Sequence, residues 1–211
     1  MDTATGYGWT SDSGPHSCDY LLPVVSSALS RLGAVTVLDL GAGNGALSRA
    51  LAERGFQVVG VEPDAAGAAI ARRAAPHIPF YELAVGDSPD PLLRDYPKGF
   101  DAVVSTEVVE HLYAPRELPR FARSVLTPGG RLILTTPYHG YVKNLALSVT
   151  ARWDRHLDPL WDGGHIKFWS PTSITRLLTS EGFEMESVRG VGRVPFLWKS
   201  MLVEAKRPHD G

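Results

Sequence analysis

Along the chain, short runs of β-branched and aliphatic residues alternate with longer stretches whose apolar positions recur every three or four residues. This is the pattern of βαβ units wound into a parallel α/β sheet. Val35 to Leu40 reads as a first strand, Ala46 to Arg54 as a helix stopped by Gly55, and Phe56 to Val61 as a second strand. Ala65 to Ala75, closed by Pro76, is a second helix, and Phe80 to Val85 a third strand. Asp101 to Ser105 and Arg131 to Thr136 are the fourth and fifth strands, separated by a helix over Arg116 to Leu126 that ends ahead of Pro128, Gly129 and Gly130. Ser170 caps, and Pro171 opens, a helix running to about Gly182; Glu184 to Arg189 and Met201 to Ala205 then close the chain as an antiparallel hairpin. Between the fifth strand and that helix, Pro137 to Trp169 is too long and too aromatic for a plain connection, and reads as a lid or binding wall.

Composition narrows the class without changing this picture. The 211 residues are 44% hydrophobic and 21% charged, the profile of one ordinary folded domain. A net charge of −2 leaves no global field to hold nucleic acid, and no window is apolar for long enough to span a bilayer. The first sixteen residues lack the basic and apolar regions of a secretory leader, and the lone Cys18 excludes an internal disulfide, so a cytoplasmic setting is expected.

The chemistry begins at the first strand's end. In Asp39-Leu40-Gly41-Ala42-Gly43-Asn44-Gly45, missing side chains let a ligand approach the backbone and the amides of a helix N-terminus. Gly41, Gly43 and Ala46 also satisfy a dinucleotide fingerprint, and Glu62 follows Gly41 by 21 residues, the spacing of a ribose-binding carboxylate. Asp39 favours another ligand: its charge repels a pyrophosphate at that helix end and suits an ammonium group, so a nucleoside joined to an amino acid fits better.

With these residues the chain resembles the class I S-adenosylmethionine-dependent methyltransferases. Val37 to Gly45 is similar to their first motif, Val59-Gly60-Val61-Glu62-Pro63-Asp64 to their ribose-binding strand end, Phe100 to Ser105 to their fourth strand, and Leu126 to Leu132 to the turn before the fifth. The resemblance implies a Rossmann-like, seven-stranded, mostly parallel sheet with its last strand antiparallel and helices on both faces. It implies S-adenosylmethionine as cofactor, Glu62 on the ribose hydroxyls, the loop Gly41, Ala42, Gly43, Asn44, Gly45 along the methionine portion, and the segment Val85 to Ser88, with Asp87, beside the adenine. Asp39, Pro63 and Thr106 complete the expected donor set.

Glu107, Glu110 and His111 are spaced i, i+3, i+4, so a helix over Thr106 to Leu112 would bring them to one face at the sheet's ligand-binding edge. Two carboxylates and an imidazole there would be relieved by an oxygen-preferring divalent cation or by a protonated partner. The pattern is similar to that of ubiquinone-biosynthesis O-methyltransferases, which implies Mg2+ on Glu107, Glu110 and His111 and a catechol-type acceptor. The alternatives are His111 as general base, with His165 as a second candidate, or a Glu-His hydrogen bond across the loop.

The single domain, residues 1–211, is thus expected to carry an N-terminal cap over residues 1–30, where Tyr7, Trp9, His16 and Tyr20 lie, and a lid over 137–169, with Trp153, Trp161 and His165 toward the acceptor. Residues 141–155, with Lys143, Arg152 and Arg155 among leucines and valines, also read as an amphipathic surface for peripheral membrane contact. The expected activity is methyl transfer to an oxygen of a small molecule by a monomer or homodimer; nitrogen and carbon acceptors stay open. A dinucleotide oxidoreductase would need a catalytic Tyr-x-x-x-Lys pair after the fifth strand, and a nucleic-acid methyltransferase a basic run or a Pro-Pro-Tyr motif; the chain has none of these.

Overall fold

The computed structural model describes residues 8–14, 16–157, 160–161 and 163–209, apart from the side chain at 155. Tyr7, Asp162 and the Arg155 side chain lie outside the described residues. The strands are β1 (Thr36–Leu40), β2 (Gln57–Val61), β3 (Phe80–Tyr81), β4 (Phe100–Thr106), β5 (Leu126–Pro137), β6 (Glu184–Val191) and β7 (Ser200–Lys206). The helices are α1 (His16–Leu32), α2 (Ala46–Ala52), α3 (Ala65–Ala74), α4 (Asp90–Asp95), α5 (Glu117–Val125), α6 (Tyr141–Val149), α7 (Trp153–His156) and α8 (Pro171–Ser180).

One seven-stranded sheet runs β3-β2-β1-β4-β5-β7-β6, with β7 antiparallel to both its neighbours and the remaining pairs parallel. Its central strands read as unbroken apolar runs because both faces are covered. Leu38 joins one core, with Phe100, Leu118, Phe121 and Ile174, while its neighbour Val37 joins the other, with Leu21, Leu29 and Leu51. Successive strands leave β1 in opposite directions, toward β2 and toward β4. The crevice at that switch point is where an open α/β sheet receives its ligand.

Four local expectations are corrected. β3 ends at Tyr81, because Asp87 accepts the Ala84 N–H (2.7 Å) and the Asp87 N–H bonds back to Ala84 (3.0 Å), turning the chain off the sheet edge. β5 begins at Leu126, ahead of the glycines. Residues 106–112 form a single 3-10 turn, Val109–His111, since Glu107 takes φ 54°, a left-handed conformation that no helix tolerates. Within the expected cap, residues 16–32 form a helix whose Leu21, Val25, Ala28 and Leu29 enter the core, while Ser17, Cys18 and Leu21 at its start reach the ligand edge.

Candidate functional site

A cavity of about 520 Å³ opens at the switch point, between the ends of β1, β2 and β4, the start of α1 and the segment at Trp161 and His165. Its floor is the glycine loop, held from beneath by Gly41 and Ala42 N–H groups donating to Val61 O (2.8 and 2.9 Å). Gly41 (φ 87°) has no room for a methyl, which would run into Val108, and one on Gly43 (φ 56°) would lie 2.5 Å from Trp9 Cζ2. The loop is bare because other side chains already fill the space above it.

Two carboxylates face this floor. Asp39, 1% exposed, accepts a 2.6 Å hydrogen bond from Ser48 at Oδ2, while Oδ1 has no hydrogen-bond partner among the described residues. Burial, only partly offset by Ser48 and reinforced by Glu62, lifts its pKa from 3.8 to about 6. Such a group is costly when ionised unless a cationic ligand sits beside it. Glu62, also buried, accepts from Gly43 N–H at Oε2 (2.7 Å) and from Asp64 N–H at Oε1 (2.9 Å), tying the end of β2 to the loop. Burial raises its pKa as well.

At the other wall the three residues of the Glu-x-x-Glu-His pattern diverge. Glu107 lines the cavity but has both carboxylate oxygens engaged, Oε1 by Thr135 (2.9 Å) and Oε2 by Ser200 (3.3 Å), which also bonds Tyr20 (2.9 Å). Burial brings its pKa to about 7. Glu110, 1% exposed, accepts from Thr136 at Oε2 (3.0 Å), and Oε1 stands 4.0 Å from His165 Nε2. Its backbone carbonyl takes the Ile166 and Lys167 N–H groups (3.0 Å each), docking the lid onto the turn. Burial first, then Glu107, holds its pKa well above the usual carboxylate range. His111 donates from Nδ1 to Gly163 O (2.7 Å), an oxygen that can only accept, so this ring nitrogen carries a hydrogen. Burial lowers its pKa, and brings that of His165 down to about 4 with help from His111, His156 and Lys143. The two rings meet edge to face at 4.9 Å, with Trp161 packed on both. Among the described residues, ligand atoms of Glu110, His111 and His165, and not of Glu107, come within 4.8 Å of one another.

Asp39, Gly41, Ala42, Gly43, Asn44, Glu62, Pro63, Thr106, Glu107, His111 and His165 all line the one cavity. Gly45 instead caps α2, and Asp87 shapes the segment Leu83 to Val85 that lines it. Trp153 bonds Ser148 (2.9 Å) within the lid, and neither His16 nor Tyr20 lines the cavity. Trp9, which lies in the expected cap, covers the loop. Lys143 escaped the sequence: expected on an amphipathic surface, it is the buried residue of α6, its pKa brought down to about 8 by burial. It leaves no periodic signal, since it inverts its helix's polarity.

A family model described as a methyltransferase domain matches residues 19–188. The chain is 30% identical over 168 residues to the mitochondrial ubiquinone biosynthesis O-methyltransferase of Rattus norvegicus, covering 78% of this chain and 49% of that one. It is 29% identical over 202 residues to the ubiquinone biosynthesis O-methyltransferase of Xanthomonas euvesicatoria pv. vesicatoria, covering 92% and 82%. Its fold is similar to that of a protein from Pyrococcus horikoshii OT3 (TM-score 0.72, 19% identity, 96% of each chain). It is also similar to magnesium protoporphyrin IX methyltransferase from Synechocystis PCC 6803 with bound SAH (TM-score 0.67, 18% identity, 89% and 82%).

Proposed function

The chain belongs to the class I S-adenosylmethionine-dependent methyltransferases, and from that premise we propose that it methylates an oxygen of a small phenol- or catechol-type acceptor, with His111 taking the proton. The carrying observation is that one cavity joins the Asp39 and Glu62 carboxylates at one end to His111, oriented by its Nδ1 bond to Gly163 O, at the other. The donor supplies an electrophilic methyl on a cationic sulfur, so the protein has to position, dehydrate and deprotonate. Asp39 receives the ammonium group, Glu62 the ribose hydroxyls, and Leu83 to Val85 border the adenine. His111 Nε2 accepts the hydroxyl proton as the oxygen lone pair forms the new O–CH3 bond and the S–CH3 electron pair returns to sulfur. Trp161 and His165 wall this end against water.

Magnesium does not fit these residues. Both Glu107 oxygens are hydrogen-bonded, and the group that converges instead, Glu110, His111 and His165, offers two imidazoles and one carboxylate where magnesium prefers oxygen. No step runs through it. Incubation with methyl-labelled donor and a panel of catechols, phenols and amines tests the reading: labelled methyl ethers are expected, at rates that added magnesium leaves within about twofold. Transfer confined to amines, or strict dependence on magnesium, overturns it.

An apolar outer face extends the reading to a lipid-associated acceptor. α6 turns Tyr141, Val142, Leu145 and Val149 outward, and the β6–β7 loop exposes Val194, Phe196 and Leu197. Arg189 is paired with Glu204 (2.7 Å), while Arg193 and Lys199 are exposed beside this loop and supply the basic charge that suits an anionic surface. No helix among the described residues is long and apolar enough to cross a membrane. In co-sedimentation with phosphatidylglycerol vesicles, Leu145→Asp is expected to cut binding about tenfold, the scale of one lost leucine burial. Equal binding by variant and parent removes the contact.

A further inference from the structure

α6 starts directly beyond β5, the strand whose Thr135 and Thr136 hold Glu107 and Glu110, and the polar groups of its first turn are left short of partners. Gly140, at the N-cap, has no side chain to offer the first-turn amides, and that turn contains no acidic residue. Lys143 sits in the same turn, and because helical side chains lean toward the N-terminus its ammonium returns to that end. It is 6% exposed, yet it makes no hydrogen bond or salt bridge with any described residue. Glu107, the carboxylate whose charge acts on it, spends both oxygens on Thr135 and Ser200, while Arg193, exposed on the β6–β7 loop, adds like charge. Beside the N-cap, His139 is buried too, and its Nδ1 has no hydrogen-bond partner among the described residues. Its ring stands 5.6 Å from that of His156 and 5.0 Å from that of Phe168, on the lid. Burial first, then Lys143, brings the His139 pKa down to about 4, so the ring is neutral and the lysine carries the charge. A buried ammonium in this state costs free energy that an anion beside it recovers.

We propose that the N-terminus of α6, with Lys143 and His139, is an anion-binding subsite of the acceptor site, and that the acceptor carries a carboxylate separate from the hydroxyl that is methylated. This rests on the reading of the cavity as a phenol or catechol site and adds the charge of the molecule it takes. Lys143 supplies the charge, a neutral His139 can donate from Nδ1, and the uncapped first turn favours the same sign of ligand. A carboxylate suits this set better than a phosphate, which brings a second negative charge to one buried lysine. His165, 4.9 Å from His111 and within reach of the Lys143 charge, connects the subsite to the base. Lys143 is thus a specificity residue and takes no part in the proton transfer.

Binding to the intact protein saturated with S-adenosylhomocysteine tests the subsite without turnover. Anisate and methoxycinnamate, methoxy acids whose carboxylates reach to different lengths, are titrated beside their methyl esters. At least one acid is expected to bind about tenfold or more tightly than its ester, the scale of one hydrogen bond to a charged group, and the gap should close to within about twofold in Lys143→Met. Because that substitution removes an unpaired buried charge, the thermal midpoint of the unliganded variant should hold or rise. In turnover, protocatechuate or caffeate should be preferred to its methyl ester through KM, a preference that Lys143→Met removes and Lys143→Arg partly keeps. Acids that bind no better than their esters, or a gap that survives Lys143→Met, would overturn the subsite. So would a fall in the unliganded midpoint with the gap unchanged, which would make Lys143 a structural partner of Glu107. Acids held through Lys143 while no phenol or catechol is methylated would uphold the subsite and overturn the O-methyl reading instead.

Discussion

Glu62→Ala is expected to weaken donor binding by at least a hundredfold, measured by titration calorimetry with S-adenosylhomocysteine. Its carboxylate accepts the N–H groups of Gly43 and Asp64, so truncation orphans two amides at the cavity floor as well as deleting the ribose partner. Each buried unsatisfied amide costs about 1–3 kcal/mol, and a hydrogen bond to a charged group contributes about 1.5–3 kcal/mol. The amide cost falls on the free and the liganded protein alike and appears as lost stability, whereas two ribose hydroxyls bonded to a charged acceptor contribute about 3 kcal/mol or more, past the roughly 2.7 kcal/mol that a hundredfold requires. Glu62→Gln should fall between, since a carboxamide keeps one acceptor oxygen and turns its NH2 toward an amide donor. A loss smaller than tenfold for the alanine variant would show that the ribose is held elsewhere. Asp39 adds a pH signature. Its pKa of about 6 means that donor affinity should fall as pH drops through 6, when the carboxyl takes a proton and no longer faces the ammonium as an anion. Without ligand the sign reverses: the native state holds that proton more tightly than the unfolded chain, so this group's contribution makes folding less favourable as pH rises from about 4 to 6.

The second large effect is on the chemical step. His111→Gln should lower kcat by about 10²- to 10⁴-fold, the usual contribution of a positioned base, while the donor's dissociation constant stays within about twofold. Because burial pulls the His111 pKa below its ordinary 6.5, the parent's rate should climb with pH only in the acid range and be level above it. That acid limb should vanish in the variant. Acceptors with more acidic hydroxyls should shrink the deficit, since they reach the transition state with the proton already gone. Equal deficits for acidic and ordinary phenols would recast His111 as a structural residue bonded to Gly163.

Much of this fold is legible in the sequence because its signals are local. Alternating strand and helix patterns, Gly55 and Pro76 as stops, and the Ser170 cap each act within a few residues; Ser170 indeed accepts the Ser173 N–H. The donor end is legible for the same reason, since Asp39, the glycines and Glu62 sit at strand ends that the parallel sheet brings side by side. The acceptor end is not. There the helical spacing of Glu107, Glu110 and His111 fails against the left-handed backbone at Glu107, which costs of the order of 1–3 kcal/mol and is sustained by Thr135 on β5 and Ser200 on β7. Those partners are remote in sequence, as is the lid histidine that joins Glu110 and His111. Lys143 misleads in the same way: its burial is tolerated beside Glu107, a residue of another element.

Val108 stands between the two ends of the cavity, its side chain occupying the space a methyl on Gly41 would need, while its neighbours in sequence lead straight to His111. Attempts to redesign acceptor preference by enlarging or trimming that valine will therefore trade against donor affinity. Libraries built around it should vary the two properties together and score them on separate assays.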